Sequence, residues 1–239
     1  MSDGVLDYQR PYLRPAAEAA GWDKTPAEID PAAVVRRPEM AELRAARAST
    51  GITGLQAVVE HVKPTILIGS STAHGAFTQA IVEAMSSGVD RPVIFPISNP
   101  TSKIEAMPAD IITWSKGKAL VTTGLPIEPF DYGGVTYYFG QSNNALVYPG
   151  LGLGAVVAGA SKVTDGMIQA AAEGQVDVSA PGAALLPAVE NLRASSATTA
   201  VAVVKAAAAD GVATKKPADP VQAVQDAMWQ PVYPDGLAR

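Results

Sequence analysis

PTILIGSSTAHGAFTQAIVEAM, residues 64 to 85, is the stretch that decides the fold class. It opens with the short β-branched run TILIG (65–69), which is typical of a buried parallel strand. The small polar segment GSSTAHG (69–75) follows and leads into a helical pattern. Apolar residues recur there at helical spacing, at Phe77, Ile81, Val82 and Met85. The stretch therefore predicts a strand, a polar turn and a helix in that order.

The same alternation continues downstream. It predicts a second strand over VIFPIS (93–98), a short helix over PADIITWSKG (108–117) and a third strand over ALVTTG (119–124). Strands that alternate with helices favour right-handed crossovers and a parallel sheet. GGVTYYFG (133–140) alternates in polarity after a glycine pair, so we also expect a small antiparallel excursion.

Composition divides the chain into three zones. Residues 1–50 are proline-rich with mixed charges, residues 51–175 carry the strand and helix alternation, and residues 176–239 are rich in alanine. We predict an α/β fold with a Rossmann-like, mostly parallel sheet, flanking helices and a C-terminal helical tail.

Three further helices are predicted outside the alternating region. EMAELRAARA (39–48) consists of strong helix formers. SSATTAVAVVKAAAA (195–209) begins with a serine that suits a cap. DPVQAVQDAMW (219–229) places Asp219 at the cap and Pro220 at the first helical position.

Charge and residue content exclude several classes of function. Charged residues are 17% of the 239, and the formal net charge is -5, so we expect no nucleic-acid partner and no binding to an anionic membrane. The absence of cysteine excludes thiolate metal sites and cysteine nucleophiles, and two histidines make a histidine-rich metal site unexpected. The longest apolar stretch is broken by proline and glycine. A cytoplasmic protein is expected.

Two asparagines are the candidate binding residues. Asn99 precedes Pro100 just after the second predicted strand, and Asn143 lies in a Gly-Gln-Ser-Asn-Asn loop. Ligands of parallel α/β sheets bind beyond the carboxyl ends of the strands, and an uncharged amide both donates and accepts hydrogen bonds there. The alternative for Asn99 is an Asx turn, because Asn-Pro commonly begins turns.

Gly150, Gly152 and Gly154 resemble a dinucleotide loop only superficially. Such a loop follows a strand and opens a helix, with an acid further on. Here the glycines follow Tyr148-Pro149 and continue into AVVAGASKVTDGMIQAAAE (155–173), which is predicted as one long helix. We therefore expect these glycines to allow close packing of a helix on the sheet.

Four segments resemble the carboxy-terminal half of malic enzymes and of the related malolactic enzymes. These segments are PTILIGSSTAHGAFTQAIVEAM, RPVIFPISNPTSKIEA, GKALVTTGLP and GQSNNALVYPGLGLG. The resemblance implies an enzyme that oxidises L-malate with NAD or NADP and decarboxylates the product to pyruvate. It also implies Mg²⁺ or Mn²⁺ acting as a Lewis acid.

The resemblance also implies roles for the amides. Asn99 matches the asparagine that contacts substrate and nicotinamide, within a Ser98-Asn99-Pro100 motif whose serine lies along the cofactor. Asn143 matches a malate contact, and Asn144 beside it is expected to contact the cofactor.

The resemblance places the first strand end along the cofactor as well. Gly69, Ser70 and Ser71 match a segment of the family that binds it. No residue of this chain matches the family's catalytic tyrosine, its catalytic lysine or its acidic metal ligands. We therefore expect the chain to be N-terminally truncated, with residues 1–50 as a remnant of the nucleotide-binding domain, 51–175 as its C-terminal half and 176–239 as its helical extension.

Three hypotheses stay open. The chain is part of a malic enzyme that needs an N-terminal half or a homo-oligomer, or part of a malolactic enzyme that releases lactate, or an inactive fragment that acts through assembly. Ser142 stands where the family usually has glycine, and it carries a backbone cost of about 1 kcal/mol if that position needs positive φ.

Overall fold

The structure is a computed structural model that describes residues 7–15, 17–25, 52–176 and 184–230. The chain divides into two compact units, the first of Met1–Thr65 with Thr78–Pro92 and the second of Ile66–Phe77 with Val93–Arg239. The helix predicted over residues 39–48 lies outside the described residues.

In its described residues, the first unit combines a small strand pair with two α-helices. Strand β1 (Lys24–Thr25) pairs antiparallel with β2 (Ile52–Thr53), and helices α1 (Leu55–Val62) and α2 (Gln79–Gly88) pack together. Helix α2 begins four residues later than the glycine of the predicted helix, because the Thr78 side chain accepts a hydrogen bond from Ile81 N and caps it there.

The second unit contains the main sheet and a hairpin. Its strands are β3 (Ile66–Gly69), β4 (Val93–Pro96), β5 (Leu120–Thr123), β6 (Phe130–Tyr132), β7 (Val135–Tyr137) and β8 (Gly140–Gln141). The main sheet has the order β3-β4-β5-β8 and all of its neighbours are parallel. The predicted parallel α/β fold is confirmed.

Register places the strand ends along one edge of the sheet. Gly69 of β3 pairs with Pro96 of β4, and Thr123 of β5 pairs with Gln141 of β8. The turns that follow these strands therefore leave the sheet at the same edge.

The predicted antiparallel excursion is confirmed. Strands β6 and β7 form a hairpin whose turn is Gly133-Gly134, with φ of 59° and 79°. Both glycines occupy the left-handed region that favours residues without a Cβ.

Strand β3 is paired on one side only among the described strands, by β4. Its Ile66 and Ile68 side chains are 54% and 58% exposed. Proteins ordinarily cover or protect an open strand edge that carries exposed apolar side chains.

Five α-helices complete the second unit where its residues are described. They are α3 (Pro108–Trp114), α4 (Tyr148–Ala158), α5 (Asp165–Val176), α6 (Leu192–Ala209) and α7 (Pro220–Ala227). Helix α3 contacts β5, while α4, α5 and α7 pack around α6. In the part of the chain that the structure describes, no helix is both long and apolar enough to cross a bilayer.

The single long helix predicted through residues 155–173 is wrong. Helix α4 ends at Ala158, and Gly159 adopts φ 56° while its N–H donates to the carbonyls of Ala155 and Val156. A left-handed glycine that satisfies the last carbonyls is a common way for a helix to end. Helix α5 then begins anew, with Thr164 Oγ1 accepting from Met167 N.

One of the two predicted caps in the tail is confirmed. Asp219 Oδ1 accepts hydrogen bonds from Val221 N and Gln222 N at the start of α7. The serine cap of α6 is wrong, because α6 begins at Leu192 and the Ser195 hydroxyl donates to a carbonyl of the preceding turn. The apolar pattern extends further upstream than the first serine.

The glycines of α4 pack against a helix rather than against the sheet. A Cβ at Gly150 would lie 2.5 Å from Thr199 Cβ, and one at Gly154 would lie 2.6 Å from the carbonyl oxygen of Ala200. A Cβ at Gly152 would meet nothing within 4 Å. Two of the three glycines therefore allow α4 to approach α6 closely, as packing residues do.

Candidate functional site

The end of β3 carries the first group of candidate binding residues. Gly69 is the last residue of the strand and is buried, whereas Ser70 and Ser71 are exposed. The Ser71 backbone N–H and hydroxyl both donate to Glu105 Oε1, each over 2.8 Å. The serine turn is thus anchored to a carboxylate from a distant part of the chain.

Glu105 is completely buried, with 0% of its surface exposed. Its Oε1 also accepts a hydrogen bond from the Ser98 hydroxyl over 2.6 Å, and its Oε2 accepts one from Ser98 N over 3.3 Å. Burial alone raises the pKa of this carboxyl, but hydrogen bonds from Ser98 and Ser71 outweigh burial and hold the pKa below its ordinary value of 4.5. Glu105 is therefore an anion that two strand ends share.

The end of β4 places Asn99 at the surface. Ser98 is buried and Asn99 exposed, and the Asn99–Pro100 peptide bond is cis. Among the described residues the Asn99 side chain has no hydrogen-bond partner, so the Asx turn considered as an alternative is not formed. The amide keeps its full capacity to donate and accept.

Gly124, just after β5, fits closely beside Asn99. A Cβ at position 124 would collide with the carbonyl oxygen of Ile97 and lie 2.9 Å from Asn99 Oδ1. Gln141 Nε2 donates to the Gly124 carbonyl over 3.1 Å. The turn after β5 thereby places a residue without a side chain where the Asn99 side chain needs room.

The loop after β8 carries the second asparagine. Ser142 N donates to the Thr123 carbonyl over 2.7 Å and extends the pairing of β5 with β8. Asn143 Oδ1 accepts from Ala145 N over 2.9 Å and caps the short 3₁₀ turn Asn144–Leu146. Its Nδ2 has no hydrogen-bond partner in the described ranges, so Asn143 presents both amide N–H donors to a ligand. Asn144 is exposed beside it.

Ser142 does not have positive φ, a conformation that among described non-glycine residues occurs only at Lys63, Thr72 and Lys116. The backbone cost considered for a serine at this position therefore does not arise.

The strand ends of β3, β4, β5 and β8 form what we call the rim, comprising Ser70, Ser71, Asn99, Gly124 and Asn143. Strand order places Asn99 and Asn143 on strands that are separated by β5 alone. We therefore predict that both amides reach one ligand.

A cavity of about 750 Å³ lies beside β8, outside the predicted site. Its wall is largely apolar and includes Pro126, Tyr138 and Leu186. Gln141, which donates to the carbonyl of the rim residue Gly124, also lines it. None of the candidate site residues lines this cavity.

No group of three or more histidine, aspartate or glutamate side chains suitable for a metal is found among residues 7–15, 17–25, 52–176 and 184–230. His74 is exposed in the turn after β3. The described residues therefore provide no ligand set for a divalent cation.

Parallel strands that end in a row of hydroxyl and amide groups define a class, the α/β domains that bind ligands at the carboxyl edge of the sheet. Residues 7–208 match the family described as malic enzyme, NAD binding domain, and the chain belongs to this family.

Relatives at about 50% identity include both kinds of enzyme in the resemblance. The chain is 49% identical over 234 residues to "NAD-dependent malic enzyme 3" of Bacillus subtilis, covering 97% of this chain and 38% of the relative. It is 50% identical over 185 residues to a malolactic enzyme of Lactococcus lactis, covering 76% of this chain and 34% of the relative. The chain thus spans less than two fifths of the length of these relatives.

Solved structures agree on the fold. The malic enzyme of Pyrococcus horikoshii superposes with a TM-score of 0.59 at 25% identity, over 75% of this chain and 38% of that one. The malic enzyme of Entamoeba histolytica superposes with a TM-score of 0.56 at 23% identity, over 80% and 37%.

Glu105 is a functional residue that the sequence patterns do not predict. Its one sequence signal is an acid between Ile104 and Ala106, both of which are buried. A charged residue in an apolar run is a buried-polar candidate that needs partners.

Proposed function

We propose that this chain is the nicotinamide-binding part of an enzyme that oxidises L-malate with NAD and decarboxylates the product to pyruvate. The observation that carries the proposal is the rim, where uncharged hydroxyls and amides lie at the ends of neighbouring parallel strands. The names of the similar enzymes support NAD as the cofactor. The predicted domain boundaries and the cytoplasmic location belong to the same proposal.

The donor set of the rim suits a nicotinamide nucleotide. Ser70 offers a hydroxyl that can donate to a ribose or phosphate oxygen, whereas the Ser71 hydroxyl donates its proton to Glu105 and offers only a lone pair to a ribose hydroxyl. Asn99 offers both a donor and an acceptor for the carboxamide. Asn143 offers Nδ2 donors for a malate carboxylate. When bound, NAD supplies the hydride acceptor for C2 of malate.

The described residues do not fit the divalent metal that the family resemblance implies, so no step is assigned to a metal on this chain. No acid or base on the rim is assigned to proton transfer either. We propose that these groups come from outside these 239 residues, either from the remaining part of a longer protein or from another subunit.

Complementation tests the proposal. The purified chain is mixed with the part of the Bacillus subtilis relative that this chain does not match, and NADH formation from L-malate is measured with Mn²⁺ present. We expect NADH and pyruvate from the mixture and none from either component. Asn99→Ala should abolish turnover, while Asn191→Ala, at an exposed asparagine whose side chain makes no cap hydrogen bond, should not.

The products separate the remaining alternatives. Lactate without net NADH would assign the malolactic reaction. NADH formation by the chain alone would refute the need for a further polypeptide. A stable complex that produces neither acid would point to a fragment that acts through assembly.

A further inference from the structure

Glu105 is a buried carboxylate whose partners in the described structure are serine donors and no cation. The Ser71 N–H, the Ser71 hydroxyl and the Ser98 hydroxyl all converge on Oε1, and Ser98 N–H reaches Oε2. A carboxylate accepts hydrogen bonds only, so its charge fixes the direction of both hydroxyl protons. The function proposed above leaves this group without a role.

The carboxylate connects the two strand ends that carry candidate cofactor contacts. Ser71 follows β3 and Ser98 follows β4. The Ser98 hydroxyl donates to Glu105 and accepts from Thr72 N over 2.9 Å, which links the two turns a second time. Loss of the charge would therefore loosen both turns together.

Gly69 provides the space for this arrangement. A Cβ at position 69 would lie 2.6 Å from Glu105 Cδ, 2.7 Å from Glu105 Cγ and 2.7 Å from the Phe77 ring. The absent side chain at the end of β3 lets the glutamate reach beneath the serine turn. Gly69, predicted from resemblance to lie along the cofactor, thus contacts the buried acid.

We propose that Glu105 is a positioning residue that holds the Ser70-Ser71 turn and Asn99 in place beside the nicotinamide nucleotide. The inference rests on the proposed function. Asn99 directly follows Ser98, and its side chain has no hydrogen-bond partner among the described residues. Its direction therefore depends on the backbone that Glu105 fixes through Ser98.

The experiment compares Glu105→Gln with the matched control Val203→Ala in the full ¹⁵N-labelled chain. Val203 is completely buried in the helical cluster around α6, and its truncation lowers stability without contacting the rim. NAD⁺ is titrated and followed by the shifts of the Ser71 N–H and the Asn99 side-chain amide. Urea unfolding measures the stability of both variants.

We expect Glu105→Gln to weaken NAD⁺ binding by about tenfold, as loss of one charge-assisted hydrogen bond does. The Asn99 amide and Ser71 N–H resonances should shift before any ligand is added. Val203→Ala should leave these resonances and NAD⁺ affinity unchanged at comparable loss of stability. Glu105→Asp, which retains the charge, should recover part of the affinity.

The outcomes are distinguishable. Equal NAD⁺ affinity in wild type and Glu105→Gln, or equal loss in Glu105→Gln and Val203→Ala, would overturn the positioning role. If the wild-type chain shows no NAD⁺-induced shifts while Asn99 still shifts in Glu105→Gln, orientation of the rim by Glu105 is supported and NAD as the ligand is refuted.

Discussion

The three glycines of α4 allow a test of packing inside one helix. A glycine-to-alanine change in a helix interior gains about 1 kcal/mol from backbone propensity. Gly152 faces open space, so Gly152→Ala should raise the free energy of unfolding by about 0.5–1 kcal/mol. The same methyl at Gly154 meets the Ala200 carbonyl at 2.6 Å and Val203 Cβ at 2.7 Å.

Steric overlap determines whether Gly154→Ala raises or lowers the free energy of unfolding. Overpacking costs about 1–3 kcal/mol, and the upper part of that range applies here because a backbone carbonyl of α6 cannot rotate away. After the propensity gain, Gly154→Ala should lower the free energy of unfolding by about 1–2 kcal/mol. Gly150 faces Thr199 in the same way and should behave likewise.

Equilibrium unfolding in urea measures both effects, since a change in midpoint at constant slope reports stability. The comparison controls for composition, because each variant adds one methyl to the same helix. Stabilisation by Gly154→Ala equal to that by Gly152→Ala would refute close packing of α4 on α6. Loss of NAD⁺ binding in Gly152→Ala at full stability would instead revive a phosphate-binding role for this glycine-rich stretch.

Three further predictions concern the rim and the buried Glu105. Gly124→Ala should displace the Asn99 amide and weaken NAD⁺ binding at least tenfold in a titration, and unchanged affinity would contradict the close fit between these residues. Asn143→Asp should keep the hydrogen bond from Ala145 N, and hence stability in urea, but lose malate turnover in the complemented enzyme, whereas Asn143→Ala should lose both. The pKa of Glu105 is lowered by folding, so its stabilising contribution is present in full above its ordinary value of 4.5 and is lost as pH falls through the folded-state pKa. The stability difference between wild type and Glu105→Gln, measured in urea, should therefore be constant from neutral pH to about pH 5 and shrink below it, and a difference that grows on acidification would refute the lowered pKa.

Local patterns predict the sheet because the residues within each strand and turn are sufficient to specify it. The β-branched run before Gly69 and the glycine pair at Gly133-Gly134 need only their neighbours to specify a strand and a hairpin turn. Asp219 likewise caps α7 with donors two and three residues away. Features that depend on short-range chemistry were therefore predictable from the sequence.

Features that depend on distant partners were not predictable in this way. Glu105 meets Ser71 across 34 residues, and no spacing rule connects them. The break at Gly159 is also hidden, since alanine and valine on either side continue a helical pattern. Strand order determines that Asn99 and Asn143 share an edge, so their candidate site could be predicted only from the parallel topology and the family resemblance.

Strand β3 has a consequence for handling the chain in solution. In the part of the chain that the structure describes, its open edge offers backbone N–H and C=O groups to a strand of another molecule, and the exposed Ile66 and Ile68 side chains add apolar surface. Concentrated preparations should consequently precipitate or form assemblies of growing mass. A lysine at either isoleucine would act as a gatekeeper and improve yield.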